Sequence, residues 1–252
     1  MHTIEEAPAA AARRDPWPAG VDLATRRRAE ILCGTIRVIA RDGVAAAKLK
    51  DIARQSGVSL GLVQHYFDTR ENLVDAAFGA MMQVVARERA RRMDAVDDPL
   101  QSIYEMIRLH VFGTVAFPER WGLWSELWAG SGRSDHLRGV ATQVYRLWAL
   151  PLEDALRRLE QQGRLPAGAD PGLLTTGMLA LMDGLSIRTL AEPDVFTQDL
   201  MLQVLNGWAT TQLGVAPAEA ERLLEALSSN AAEPTALAPE VVAAALVEQR
   251  TP

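Results

Sequence analysis

Cysteine is nearly missing. The 252 residues hold one, Cys33, so no intrachain disulfide forms, and its place on the apolar side of an expected helix makes it a buried thiol. Histidine is scarce, four residues scattered along the chain, and no metal-ligand spacing arises from them. No apolar run is long enough to span a bilayer, because Arg, Asp or Gly interrupts each one early. Residues 1–22 lack the apolar core of a signal peptide and read as a flexible arm, which places the protein in the cytoplasm. Nucleophile elbow, phosphate loop and dinucleotide fingerprint are all absent, and the Gly130-Ser131-Gly132 turn lacks the Lys-Ser/Thr that would hold a phosphate. These gaps argue against an enzyme, so no catalytic residue, metal or cofactor is expected.

Apolar residues make up 48% of the chain and charged residues 23%, the balance of a globular protein. The net charge of −6 hides a division. Residues 13–70 carry eleven Lys/Arg against six Asp/Glu, whereas residues 71–252 carry fifteen against twenty-four. A basic head on an acidic body suits a molecule that touches phosphates with one end only.

The punctuation is helical throughout, without a strand-like alternation. Helices are expected over 25–42 (stopping at Gly43), 49–56 and 60–66. A long fourth starts after Asp68 or Thr69, with Glu71 placed for a capping box to Asp68. Asp98 and Pro99 open a fifth running to about Gly113, and Pro118 opens a sixth. The seventh runs from about Ser134 towards Gly163, kinked or broken at Pro151, which cannot donate a helical hydrogen bond. Asp170 and Pro171 open the eighth, and Asp194 a ninth that ends at Gly214. Residues 217–229 and 239–249 read as two short helices in an Ala/Glu/Pro-rich tail. The fold class is all-α. An arm (1–22) precedes a three-helix domain (23–70), a larger helical body (71–214) and a C-terminal extension (215–252).

Residues 48–73 have the spacing of a helix-turn-helix, two short helices whose second fits a DNA major groove. Ala53 is small enough for a close helix crossing, and Gly57, four residues on, can take the positive φ of the turn. Ser59 is a good N-cap, and Val58, Leu62, Val63 and Phe67 supply apolar anchors. Basic residues precede the motif (Arg26, Arg27, Arg28, Lys48, Lys50), Gln64-His65-Tyr66-Phe67 closes it, and Asp68-Thr69-Arg70 follows. From Arg26 to Leu73 this resembles the N-terminal domain of the TetR family of bacterial transcriptional regulators. In the body, Trp121, Trp124, Trp128, Leu137, Tyr145 and Trp148 are similar to the choline-responsive BetI branch.

The resemblance implies a double-stranded DNA operator as partner, read by the third helix. Gln64 can bond adenine bidentately, while at the helix start Gly61 allows close approach and Leu60 can meet a thymine methyl. Lys48, Lys50, Ser59, His65 and Tyr66 are candidates for phosphate and sugar, and Arg70 for a phosphate seat at the start of the fourth helix. Two departures stand out: Tyr is common in the family where Gln64 stands, and Ser or Thr where Ala47 and Lys48 stand.

For the body the resemblance implies a small-molecule effector, with the fourth helix as coupling element. Trp121, Trp124 and Trp128 fall on one helical face and, with Trp148, suit an aromatic cage for a cation. Glu126 and Asp183 add negative charge, and Tyr104 and His110 are further pocket candidates. A homodimer is implied, through Leu174, Met178, Leu181, Leu185, Leu202, Leu205 and Trp208 of the eighth and ninth helices. The expected protein is a repressor released from a palindromic operator by its effector. A transcriptional activator and a ligand-independent DNA binder are the alternatives.

Overall fold

The computed structural model describes residues 16–93, 96–117, 120–229 and 233–248. Most of the expected arm and Pro118, the expected start of the sixth helix, lie outside them. Residues 16–22 are docked rather than free: Val21 is buried, Trp17 packs on the head core, and Asp22 caps the first helix by accepting from the Thr25 N–H at 2.7 Å.

Eleven helices occur among the described residues. The head holds α1 (Leu23–Asp42), α2 (Leu49–Gln55), α3 (Leu60–Tyr66) and the first turns of α4 (Arg70–Met93). Gly57 takes φ +67° at the α2–α3 turn, and Ser59 accepts from the Leu62 N–H at 3.2 Å. The expected capping box at Asp68 is replaced by a simpler cap, Thr69 accepting from the Asn72 N–H at 3.0 Å.

The body comprises α5 (Pro99–Phe112), α6 (Arg120–Ser131), α7 (Asp135–Gln161), α8 (Pro171–Ala191), α9 (Gln198–Gln212) and α10 (Pro217–Ser229). Pro151 lies inside α7 without ending it, because Leu152, Ala155, Leu156 and Leu159 bury the next turns and offset one missing backbone bond. The ninth helix starts four residues later than expected. Thr197 caps it by accepting from the Leu200 N–H, and Asp194 sits in the preceding turn.

Both tail helices form. After α10, a two-residue strand β2 (Thr235–Ala236) pairs in parallel with β1 (Val115–Ala116), a contact without a sequence signature. Then α11 (Pro239–Glu248) packs on α1 and α4, burying Val242, Ala243 and Ala245 in the head's apolar cluster. Arg37 of α1 donates to the Leu237 carbonyl at 2.7 Å, and Arg87 of α4 pairs with Glu248 at 2.7 Å. The core therefore falls into two clusters. One joins α1–α4 with β1, α6, the first half of α7 and α11, and the other joins α5, the rest of α7, α8, α9 and α10.

Candidate DNA-facing helix and body cavity

Val63 and Phe67 anchor α3 in the head core, and that fixes which of its residues face outward. Gln64, His65 and Gly61 are exposed, Leu60 keeps 42% of its surface in solvent, and Tyr66 is half-buried with its ring 5.4 Å from that of His65. No atom lies within 4 Å of a Cβ built on Gly61, so this edge of the helix is open to a close partner. Lys48 and Lys50 are exposed at the start of α2. Arg70, the expected phosphate seat, is also engaged within the head. Its guanidinium donates to the Ala47 carbonyl at 2.9 Å and to the Val44 carbonyl, closing the α1–α2 loop from within. Arg28 is also used inside the head, 4.7 Å above the Phe67 ring.

The body contains a cavity between α4, α5, α6, α7 and α8. Trp121, Trp124, Trp128, Trp148, His110 and Asp183 all line it, which brings six of the eight expected ligand residues together. The space open to the centre of a water-sized sphere is about 70 Å³, roughly five times what one water needs.

Four polar groups shape this cavity. Tyr145 donates to Asp183 Oδ2 at 2.6 Å. Burial, then the bond to Asp183, pushes the Tyr145 phenol well above its ordinary value, and burial raises the Asp183 carboxyl. Arg120, 8% exposed, lies 4.6 Å from the centre of the Trp121 ring and donates to the Val111 carbonyl. Desolvation lowers its pKa to about 10, so it stays charged at neutral pH. Gly113 permits this placement, since a side chain there would strike the guanidinium. Burial likewise pushes His110 down to about 4, leaving a neutral ring that bonds Ser186 Oγ at 3.1 Å.

Two expected ligand residues lie elsewhere. Glu126 points to the head and accepts from the Val44 N–H at 2.8 Å, just past the end of α1. Tyr104 is buried against α9, its hydroxyl 2.7 Å from Thr210 Oγ1, beside a second pocket bounded by Arg108 and Leu224. Spacing placed both on the right helices but could not say which way each faced.

Comparison with known proteins places this geometry in a family. Residues 31–77 match the profile of bacterial regulatory proteins of the tetR family, and residues 99–214 match that of the BetI-type transcriptional repressor C-terminal domain. The chain belongs to the TetR family. It is a transcriptional regulator of TetR/BetI type. The HTH-type transcriptional regulator BetI of Rhizobium meliloti is 28% identical over 64% of this chain and 77% of its own length. That of Ectopseudomonas mendocina is 26% identical over 75% and 95%. A Saccharomonospora viridis transcriptional regulator solved in complex with choline shares the fold, with TM-score 0.67, 23% identity and coverage of 72% of this chain and 94% of that one. So does FadR of Bacillus subtilis, solved with stearoyl-CoA, at TM-score 0.59 and 18% identity over 70% and 96%. Among the described residues of this TetR regulator, no helix is long and apolar enough to cross a membrane.

The expected dimer residues divide. Met178, Leu185 and Leu205 are 1%, 6% and 0% exposed, which makes them core of the protomer and removes them from any outer face. Leu202 borders the second pocket near α10. Leu174, Leu181 and Trp208 remain half-buried, with Trp208 seated against Gly177. The exposed apolar side chains of α8 are instead Leu173, at 72%, Ile187 and Leu190. Sequence reasoning also missed Arg120 as a cavity residue, and nothing local in the chain marks an arginine at a helix start as buried.

Proposed function

We propose that this TetR regulator is a homodimeric repressor that holds a palindromic operator and leaves it when a small molecule enters the Trp-lined cavity. One observation carries the reading: the helix that supplies three indoles to the cavity also rests on the head. A Cβ on Gly122 of α6 would run into the Ala40 carbonyl of α1, and Glu126 of α6 holds the Val44 N–H. A molecule that displaces α6 therefore biases the position of the head, and cavity occupancy and operator binding share one equilibrium.

In this reading Gln64, Leu60 and Gly61 meet base edges, and Lys48, Lys50, Ser59, His65 and Tyr66 meet the backbone. Leu173 and Ile187, with Gly177, Ala180 and Gly184 between them at helical spacing, support a second copy packed on α8. Two heads then sit about 34–36 Å apart, or a multiple of that. The four indoles and Asp183 favour an effector bearing an ammonium group, as choline does in the Saccharomonospora viridis regulator.

The test is a gel shift on the protein's own upstream DNA with and without choline and related ammonium compounds, alongside Trp fluorescence. Two protomers per site, quenching and release are expected. A monomer at micromolar concentration overturns the dimer. Neither quenching nor release with any ammonium compound overturns the effector class.

A further inference from the structure

We propose that the cavity takes a compact zwitterion, an ammonium carboxylate whose cationic end sits at Asp183 and whose anionic end sits at Arg120. The inference rests on the reading of this cavity as the effector site and deepens it by naming the ligand's second charge.

The cavity has two poles. At one, Asp183 accepts one hydrogen bond among the described residues, from Tyr145, whose oxygen is itself within hydrogen-bonding reach of Trp128. One carboxylate oxygen is left for a ligand, with four indoles in the same cavity wall. At the other, the Arg120 guanidinium has five N–H donors but among the described residues bonds only the neutral Val111 carbonyl, with the Trp121 ring beneath it. Among the described residues no carboxylate lies within ion-pair distance of Arg120, and no Lys or Arg within that distance of Asp183. The two groups do not pair with each other.

A desolvated charge without a counter-ion is costly, and burying ligand atoms over it raises that cost further. Three kinds of ligand can be weighed against this wall. A simple cation satisfies Asp183 but adds positive charge to a cavity where Arg120 is still unmatched. A simple carboxylate has the opposite fault. A zwitterion answers both poles, and a carboxylate on Arg120 forms charge-assisted bonds of the strongest common kind. Among the described residues the remaining polar wall does not alter the count, since His110 is neutral and Thr114 carries no charge. Arg89 stacks on Trp148 at 5.6 Å without lining the cavity. The small volume restricts the ligand to a short spacer between its charges.

Calorimetry on the full chain tests this with ligand pairs, so no variant has to fold. Trimethylammonioacetate and its homologues with two and three methylenes supply the zwitterions. Their methyl esters lack the anion, and 3,3-dimethylbutanoate lacks the cation at the same shape. At least one zwitterion is expected to bind about tenfold or more tighter than its ester and than the dimethylbutanoate. Arg120→Met should erase the preference over the ester, and Arg120→Lys should restore part of it. Asp183→Asn should weaken zwitterion and ester alike, each variant being checked for an unchanged melting profile. An ester that binds as tightly as its acid overturns the anionic pole while leaving an ammonium effector standing. If no zwitterion and no ester binds, the zwitterion and the ammonium effector fall together.

Discussion

The outward edge of α3 and the wall of the body cavity treat polar side chains in opposite ways. Gln64, His65, Lys48 and Lys50 stand in water, whereas Asp183, Arg120, Tyr145 and His110 are stripped of much of it and their proton affinities move accordingly. In the proposed function, the difference suits the two partners. DNA brings a dense row of charges that solvated cations meet by releasing counter-ions, and the contacts need not be dry. A small molecule offers few atoms, so each contact has to be strengthened by a low dielectric. On that reading one chain holds a solvated recognition surface and a largely buried one, joined where α6 meets α1.

The largest expected effect breaks the idea that the wet surface stands by itself. Val242→Asp puts an unpaired carboxylate into the head's apolar cluster and should cost about 3–5 kcal/mol in urea unfolding, with operator binding lost at the same time. A stable variant with normal DNA binding would show that α11 is dispensable to the head.

Salt separates the two surfaces next. Raising it from about 50 to about 200 mM should weaken operator binding by roughly a thousandfold, as six or more phosphate contacts imply. Cavity binding should change by less than about twofold, because buried charges are screened little. Equal salt slopes would erase the contrast.

Within the head, Arg70→Ala and Gln64→Ala sharpen it. Arg70→Ala should cost about 1–3 kcal/mol of stability, because the Val44 and Ala47 carbonyls lose their donor. Gln64→Ala should leave the melting curve alone and relax base preference by about 1–3 kcal/mol in competition binding. The reverse outcome would return Arg70 to the DNA surface.

A further contrast is in pH. His110 is held neutral down to about 4, while the unfolded chain takes up that proton near 6.5. The unfolded state therefore binds more protons between these values, so stability is complete above pH 6.5 and declines as pH falls towards 4. His110→Phe should flatten that window of the stability–pH curve.

What the sequence reveals divides along the same line. The head is written in local signals, each within a few residues of its effect: Ala53 and Gly57 for the crossing and turn, Ser59 for the cap, Val63 and Phe67 for the anchor. The cavity is half written. Trp121, Trp124 and Trp128 share a face by spacing alone, but whether that face looks inward is decided by α4, α5, α7 and α8 together. Glu126 lies two residues from Trp124 and points to the head. Arg120 is one residue before Trp121 and belongs to the cavity. In the dimer face the same limit misdirected Met178, Leu185 and Leu205, since an apolar stripe does not say whether it meets its own protomer or another. The role of α11 was least legible, because an Ala/Val helix fits many surfaces and its partner is far away in the chain.

That distance sets a timetable. The bond between Arg37 and Leu237 joins residues 200 positions apart. A ribosome adding roughly 5–20 residues per second takes roughly 10–40 s to cover them. For that interval a newborn head has α1, α2 and α3 but lacks the helix that finishes its core, and its apolar side is bare. A finished head therefore waits for α11 to be made, and a chain cut short after the body carries its reading helix on an unfinished foundation.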